Sequence, residues 1–308
     1  MSELGEIIPL DVERDDAGVV TVWLEQPDRP VVVLDRSLIK RLDATLDGLP
    51  TSMTGFVLAS RCGRVYVAGA DLVEIDGLSD AELDAYLSLG QRVFGRIADL
   101  PCTSVAAVTG AALGGGLEIA MHCDALVALD PGEGGKPYPV GLPEAGLGIC
   151  PGWGGANMLP ARMDPKDAIE RTASGRPMTV HEAIAAGLFA GTAGDRDGVL
   201  ELARRRAAGD RPERGGAGPA NASWRREAVR AGLESVSLPE TKAAAGVRAC
   251  VEAGLEGGWA AGLAAERETL IALRSTPEAR EALEAFFAKS GSKSPASSGA
   301  KAGTKAGG

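Results

Sequence analysis

In the first half of the chain, short apolar runs typical of strands are separated by segments in which apolar residues recur at helical spacing. Short runs rich in β-branched residues predict buried strands at 18–24, 55–60, 105–108 and 125–129. Between these runs, leucines recur at helical spacing after Ser37, and a capping box of Ser79 and Glu82 begins a further helix that ends before Pro101. Strands that alternate with helices favour a mixed α/β sheet with right-handed crossovers.

Beyond about residue 160 the pattern becomes helical, and no strand run is expected. The predicted helices lie at 164–172, 180–187, 198–208, 224–234, 240–274 and 277–289. A loop rich in Gly, Ala and Pro fills 209–223, and 290–308 has the composition of a disordered tail. We therefore expect an α/β core at 1–205, a helical region at 206–289 and a disordered segment after it.

Composition and charge exclude several classes of protein. The chain has 308 residues, of which 45% are hydrophobic and 24% charged, as in soluble globular proteins. The formal net charge of −10 disfavours a nucleic-acid partner. The longest apolar stretch contains Thr109 and Glu118, which argues against a membrane span, and the acidic first residues are not those of a signal peptide. A cytoplasmic protein is the resulting expectation.

Histidine and cysteine offer little chemistry. Only two histidines are present, His122 in an apolar helix and His181 in a capping segment, and both are interpreted as structural. The five cysteines lack any Cys-x-x-Cys spacing, so neither a disulfide framework nor a zinc site is indicated.

Three segments differ from ordinary packing: 66–72, 108–118 and 141–155. In the second, a strand gives way to three glycines, Gly114 to Gly116, where a helix begins. A helix N-terminus exposes unpaired N–H groups, and two such donor points could hold the oxygen of a thioester carbonyl. The glycines could equally form a tight turn with positive φ angles, and the triplet alone favours neither interpretation.

Two glutamates accompany these segments. Glu118 lies in an apolar helix start, and Glu144 follows a proline before a run of small residues. Either one alone is more readily a helix-capping group. Together, beside a surface that binds an oxyanion, they suit acid–base chemistry at two adjacent carbons.

The three segments together resemble a known family. Ala-Gly-Ala-Asp-Leu at 68–72, the Gly-rich 110–118 and the segment Pro-Glu-Ala-Gly-Leu-Gly with its following glycines at 143–155 are similar to the motifs of the crotonase (enoyl-CoA hydratase/isomerase) superfamily. The resemblance covers about residues 15–289. It is greatest to the hydratase part of bacterial fatty-acid-oxidation multienzymes, although no dinucleotide-binding domain follows here.

The resemblance implies a fold, an assembly and a ligand. The expected fold is a β-β-α spiral core with a C-terminal helical region that forms homotrimers, which often pair into hexamers. The expected ligands are acyl-CoA thioesters, with no metal and no cofactor other than the coenzyme A of the substrate. The resemblance places an oxyanion hole at the amides of Ala70 and Gly115. Further substrate-binding residues are expected at Ala68, Gly69, Asp71, Leu72 and Gly114.

The reaction implied is hydration of an enoyl-CoA, in which Glu118 activates water and Glu144 protonates the α-carbon. Isomerases of the superfamily typically keep only the acid at the Glu144 position. A Δ3-Δ2-enoyl-CoA isomerase or another crotonase reaction is the alternative.

A third alternative is a non-catalytic acyl-CoA-binding subunit of a complex with thiolase or dehydrogenase partners. Departures from the family pattern favour it: Val73 stands where a lysine often lies near the CoA, and 31–34 and 156–160 also differ. Lys289 resembles a basic residue near the CoA of a neighbouring subunit.

Overall fold

A computed structural model describes residues 7–210 and 226–290. Its strands are β1 Asp11–Arg14, β2 Val19–Leu24, β3 Gly55–Ser60, β4 Val65–Val67, β5 Thr103–Val108, β6 Ala111–Leu113, β7 Ala125–Leu129, β8 Pro139–Gly141, β9 Met178–Thr179 and β10 Thr192–Ala193. Its α-helices are α1 Arg36–Asp47, α2 Leu72–Gly77, α3 Asp80–Ala98, α4 Gly115–Met121, α5 Gly155–Arg162, α6 Pro165–Ser174, α7 Val180–Ala185, α8 Arg196–Ala207, α9 Arg226–Ser235, α10 Lys242–Gly257, α11 Trp259–Arg274 and α12 Pro277–Ser290. A short 3-10 helix occupies Glu144–Leu147.

The larger sheet has the order β1-β2-β3-β5-β7-β10, and all its neighbours are parallel except β1 and β2. Every residue of β2, β3 and β5 is buried, because both faces of the sheet are covered. Alternate residues of these strands pack against Val199, Ala203 and Ala207 of α8 on one face. The residues between them in these strands point to the opposite face and belong to the main core.

The smaller sheet has the order β4-β6-β8-β9. The chain passes repeatedly from the larger sheet to this one, from β3 to β4, from β5 to β6 and from β7 to β8, and then into a helical segment. This repeated β-β-α path is the predicted spiral core, so the predicted fold class is confirmed. The three turns of this spiral place the ends of β4, β6 and β8 at one edge of the smaller sheet.

The predicted helix at 240–274 is wrong in one respect, since two helices occupy it. Gly258 adopts a φ angle of +82°, which a side chain would oppose, and the chain reverses there between α10 and α11. The expectation that no strand follows residue 160 is also wrong, because the two-residue strands β9 and β10 complete the sheets. Of the predicted disordered tail at 290–308, Ser290 is the last residue of α12 and the rest lies outside the described residues, as does most of the predicted loop at 209–223.

The C-terminal helices share their apolar residues with the first part of the chain. One continuous cluster of buried side chains extends from Leu10 to Ala279. Helix α10 packs on α5 and α6, and α11 packs on α3 and α5. Within 7–210 and 226–290, no helix combines the length and apolar character that a membrane crossing requires.

Candidate active site

A cavity lies at the edge where β4, β6 and β8 end, and it encloses about 500 Å³ of space including its mouth. Its walls are mostly apolar, with two carboxylic side chains among them. The residues that line it are Ala68, Gly69, Ala70, Leu72, Ile75, Leu87, Gly114, Gly115, Glu118, Pro143, Glu144, Leu147, Ile149, Cys150, Gly152, Trp153 and Leu270. The structure thus brings the three unusual sequence segments together around one space.

Hydrogen bonds of the adjacent residues orient the backbone amide of Ala70 toward the cavity. Leu34 donates its N–H to the Gly69 carbonyl at 2.8 Å and accepts from the Asp71 amide at 3.4 Å. In a trans peptide the C=O and N–H point in opposite directions, so the Ala70 N–H points away from Leu34. No described residue supplies an acceptor for it.

The three glycines after β6 are each required for a separate reason. Gly114 has a φ angle of +52°, and an added Cβ there would lie 2.6 Å from Oε1 of Glu144. A Cβ at Gly115 would overlap the ring of Trp153, and one at Gly116 would overlap the carbonyl of Val67. The triplet therefore serves both the turn and the close approach that the sequence left open.

Gly115 begins α4, so its amide is one of the helix donors with no intrahelical partner. The Gly114 amide is bonded to the Gly141 carbonyl at 2.8 Å, and the Gly114 carbonyl accepts from Leu117 and Glu118. Among the described residues nothing accepts a hydrogen bond from the Gly115 N–H. The amides of Ala70 and Gly115 thus both remain available at the cavity wall.

Glu118 is buried in the first turn of α4. Its Oε1 atom accepts two hydrogen bonds, from the backbone amides of Trp153 and Gly155, each at 2.8 Å. Burial raises the pKa of this carboxyl to about 7, and the amides of Gly155 and Trp153 limit the rise because they stabilise the charged form. Near neutral pH, Glu118 therefore exchanges readily between its two protonation states.

Glu144 begins the 3-10 helix that follows β8, and its Oε2 atom is buried without a hydrogen-bond partner among the described residues. Burial raises the pKa of this carboxyl well above its usual range, and the nearby Glu118 carboxylate raises it further. Both effects favour the protonated form of Glu144. The two carboxyls of this cavity thus differ in how strongly their surroundings favour the protonated form.

Four of the five additional substrate-binding candidates line the cavity, namely Ala68, Gly69, Leu72 and Gly114. Asp71 does not line it. Its carboxylate caps α2 by accepting from Val73 and Glu74, and it pairs with Arg29 at 2.7 Å. In this structure Asp71 therefore acts on the position of α2.

His122 is buried with its Nδ1 atom 2.9 Å from the Glu118 carbonyl. Burial lowers the pKa of this imidazole to about 4, so it is neutral near pH 7. His122 packs edge-on against Phe94 and Trp259, in keeping with the predicted structural role.

Two features of the site were missed in the sequence. The first is a third buried acid, Glu266 of α11, which binds the same backbone segment as Glu118. The second is the apolar wall that Leu87 and Leu270 form from α3 and α11. No local sequence pattern marks Glu266, because its burial depends on the packing of α11 against α5.

Comparisons with known proteins agree with this architecture. The sequence profile of the family described as "Enoyl-CoA hydratase/isomerase" matches residues 14–209. A protein named "Probable enoyl-CoA hydratase" from Bacillus subtilis (strain 168) is 34% identical over 195 residues, which is 63% of this chain and 72% of that protein.

A longer relative matches more of the chain. The "Fatty acid oxidation complex subunit alpha" of Idiomarina loihiensis is 30% identical over 289 residues, 89% of this chain. This chain spans only 40% of that relative. The crystal structure of human mitochondrial delta3-delta2-enoyl-CoA isomerase superposes with a TM-score of 0.66 at 21% identity, covering 92% of this chain and 98% of that one, which shows a common fold.

Proposed function

Because the chain belongs to the enoyl-CoA hydratase/isomerase family, we propose that it is an enoyl-CoA hydratase of fatty-acid degradation. The substrate would be a 2-enoyl-CoA thioester, and no cofactor beyond its coenzyme A would be needed. The observation that carries the proposal is the pair of buried carboxyls that line one cavity, Glu118 with a pKa raised to about 7 and Glu144 with a pKa raised well above its usual range.

In the proposed reaction, Glu118 takes a proton from a water molecule while the water oxygen bonds to C3 of the enoyl group. The C2=C3 π electrons move toward the thioester carbonyl, and the proton on Glu144 is delivered to C2. The product is a 3-hydroxyacyl-CoA, with Glu118 protonated and Glu144 ionised. One proton must then pass from Glu118 to Glu144, directly or through solvent, before the next turnover.

The amides of Ala70 and Gly115 supply the electrostatic part of this proposal. Negative charge develops on the thioester oxygen as C3 is attacked, and two fixed N–H donors stabilise that charge more than they stabilise the neutral carbonyl. Support comes from the orientation of the Ala70 peptide and from the place of Gly115 at the start of α4.

The first experiment is hydration of crotonyl-CoA, followed by the loss of conjugated-enoyl absorbance and by identification of the product. We expect Glu118→Gln and Glu144→Gln each to lower kcat by roughly 10²–10⁴-fold, because each removes a proton-transfer group. Glu268→Gln is the matched control, since Glu268 is exposed on α11. If both site variants turn over as fast as this control, the proposal is wrong.

The same variants separate the alternatives. An isomerase needs one group to carry a proton between C2 and C4, so Glu118→Gln would keep isomerase activity with a 3-enoyl-CoA while Glu144→Gln would lose it. A non-catalytic subunit would bind crotonyl-CoA in calorimetry without any turnover. Association with thiolase or dehydrogenase partners stays a prediction, which co-purification would test. Assembly into homotrimers or hexamers also stays a prediction, which light scattering of the purified protein would test.

A further inference from the structure

Glu266 is a buried acid that the proposed reaction does not use. It lies on α11 and is 0% exposed, and no ion pair with Lys, Arg or His is formed by it within the described part of the chain. A carboxyl in such a place is costly unless hydrogen bonds compensate for the lost water. Its partners therefore indicate what it does.

All the hydrogen-bond partners of the Glu266 carboxyl are donors near the start of α5. The Gly154 amide donates to Oε2 at 2.6 Å, and the Ala156 amide donates to Oε1 at 3.0 Å. The Asn157 side-chain amide approaches Oε1 at 3.4 Å. Both oxygens of Glu266 thus act as acceptors.

The backbone amides of four consecutive residues alternate between two acids. Those of Trp153 and Gly155 bind Glu118, and those of Gly154 and Ala156 bind Glu266. We call residues 153–156 the shared turn. Because the two sets of donors belong to one short piece of backbone, the orientation of one set fixes the orientation of the other.

We propose that Glu266 is a positioning residue for the proposed base: by holding the amides of Gly154 and Ala156, it aims the amides of Trp153 and Gly155 at Glu118. This inference rests on the proposed function, in which Glu118 must point at a water molecule. A carboxyl held by two directed donors keeps one orientation, whereas a carboxyl without them can rotate away from the substrate.

The amides of the shared turn also favour the charged form of Glu118. They oppose the burial that raises its pKa to about 7, so loss of their alignment would raise that pKa further. Burial and the Glu118 carboxylate raise the pKa of Glu266 well above its usual range, while the Gly154 and Ala156 amides favour its charged form. Where Glu266 is ionised, removal of its charge would act on the pKa of Glu118 in the opposite direction. The direction in which the acidic limb of the pH profile moves therefore distinguishes alignment from simple charge repulsion.

Other titratable or charged groups near the two acids constrain the pH range of the test. They are Glu144 on the 3-10 helix, His122 at the end of α4, Cys150 in the loop before α5 and Cys250 on α10, with Arg162 of α5 acting on His122. Burial keeps the pKa of Glu144 and of Cys150 high, and it keeps His122 neutral down to about pH 4. Cys250 has a pKa lowered by its hydrogen bond to Cys150, so the alkaline limb is left out of the comparison.

The test compares Glu266→Gln, Glu266→Asp and the exposed control Glu268→Gln in crotonyl-CoA hydration. In Glu266→Gln an NH₂ group replaces one acceptor oxygen and faces a backbone N–H. We expect kcat to fall at least tenfold with KM within about twofold, and the acidic limb to move to higher pH. Glu266→Asp keeps two acceptors, and we expect it to retain more of kcat than Glu266→Gln.

Circular dichroism of each variant over the same pH range shows whether it stays folded there, which separates a displaced limb from acid unfolding. An unchanged limb, or one displaced to lower pH, would overturn the positioning role. A wild-type protein without hydratase activity would instead overturn the proposed function. In that event the titration of the Glu118 carboxyl carbon, followed by NMR in the wild type and in Glu266→Gln, still tests the positioning role.

Discussion

Glu144 shows what a buried acid does to stability. In the unfolded chain a glutamate has a pKa near 4.3, whereas burial and Glu118 hold the native pKa far above that. The native state therefore binds more protons than the unfolded state above about pH 4.3. The stabilising contribution of this protonated group is complete at lower pH and is lost as the pH rises toward the native pKa.

Replacement of Glu144 by glutamine should remove this pH dependence. A glutamine side chain does not ionise in either state, so the slope of about 1.4 kcal/mol per pH unit disappears. From about pH 5 to about pH 7, we expect the free energy of unfolding of the variant to rise relative to that of the wild type. Urea unfolding at both pH values measures this. The free energy of unfolding of the exposed Glu268→Gln variant should change with pH as it does in the wild type. If that of Glu144→Gln also changes with pH as in the wild type, Glu144 is ionised in the native protein.

At the residue scale, the sequence was informative where an acid interrupts an unusual motif and silent where it interrupts an ordinary helix. Glu118 and Glu144 stand beside glycine-rich turns, so their pairing could be predicted. Glu266 lies in a long alanine-rich helical pattern. Its burial depends on the packing of α11 against α5, which no local spacing reveals.

At the scale of elements, the start of α4 requires a glycine because it lies directly against the backbone of β4. Helix α4 crosses β4 so closely that a Cβ at Gly116 would overlap the Val67 carbonyl. Backbone atoms cannot rotate away as a side chain could. We expect Gly116→Ala to lower the free energy of unfolding by about 2–3 kcal/mol, as overpacking does in other cores.

Gly95 provides the matched control for that substitution. It lies inside α3, and an added Cβ would have no neighbour within 4 Å. Gly95→Ala should therefore stabilise the protein by about 0.5–1 kcal/mol through the helix propensity of alanine. Urea midpoints of the two variants provide the comparison, and equal midpoints would show that α4 can move away from β4.

Strong local signals predicted the elements well, and weak ones failed. The capping box at Ser79 and Glu82 begins α3 as predicted, and the β-branched runs became β2, β3, β5 and β7. Strands β6, β8, β9 and β10 have only two or three residues, so their pairing partners rather than their sequences define them. The division between α10 and α11 depends on the φ angle of Gly258, which the helical spacing on either side conceals.

At the scale of the whole molecule, α11 connects the helical region to the spiral core. Its residues Glu266, Leu270 and Arg274 are spaced by four and all face the core. The Arg274 guanidinium donates to the carbonyls of Ile75 at 2.9 Å and Leu78 at 2.7 Å. It also pairs with Asp80 at 2.6 Å. One buried side chain thus holds the end of α2 and the start of α3.

Because the regions predicted at 1–205 and 206–289 share one cluster of buried side chains, we expect them to unfold together. Tryptophan fluorescence and far-UV circular dichroism should report a single coincident urea transition.

Arg274→Ala should lower the free energy of unfolding reported by both signals by about 2–4 kcal/mol, because it leaves two carbonyl groups without their donor. Arg280→Ala removes a partly exposed pair with Asp76 and should cost less than about 1 kcal/mol. Two separate transitions, with only one of them sensitive to Arg274→Ala, would instead establish the helical region as an independent domain.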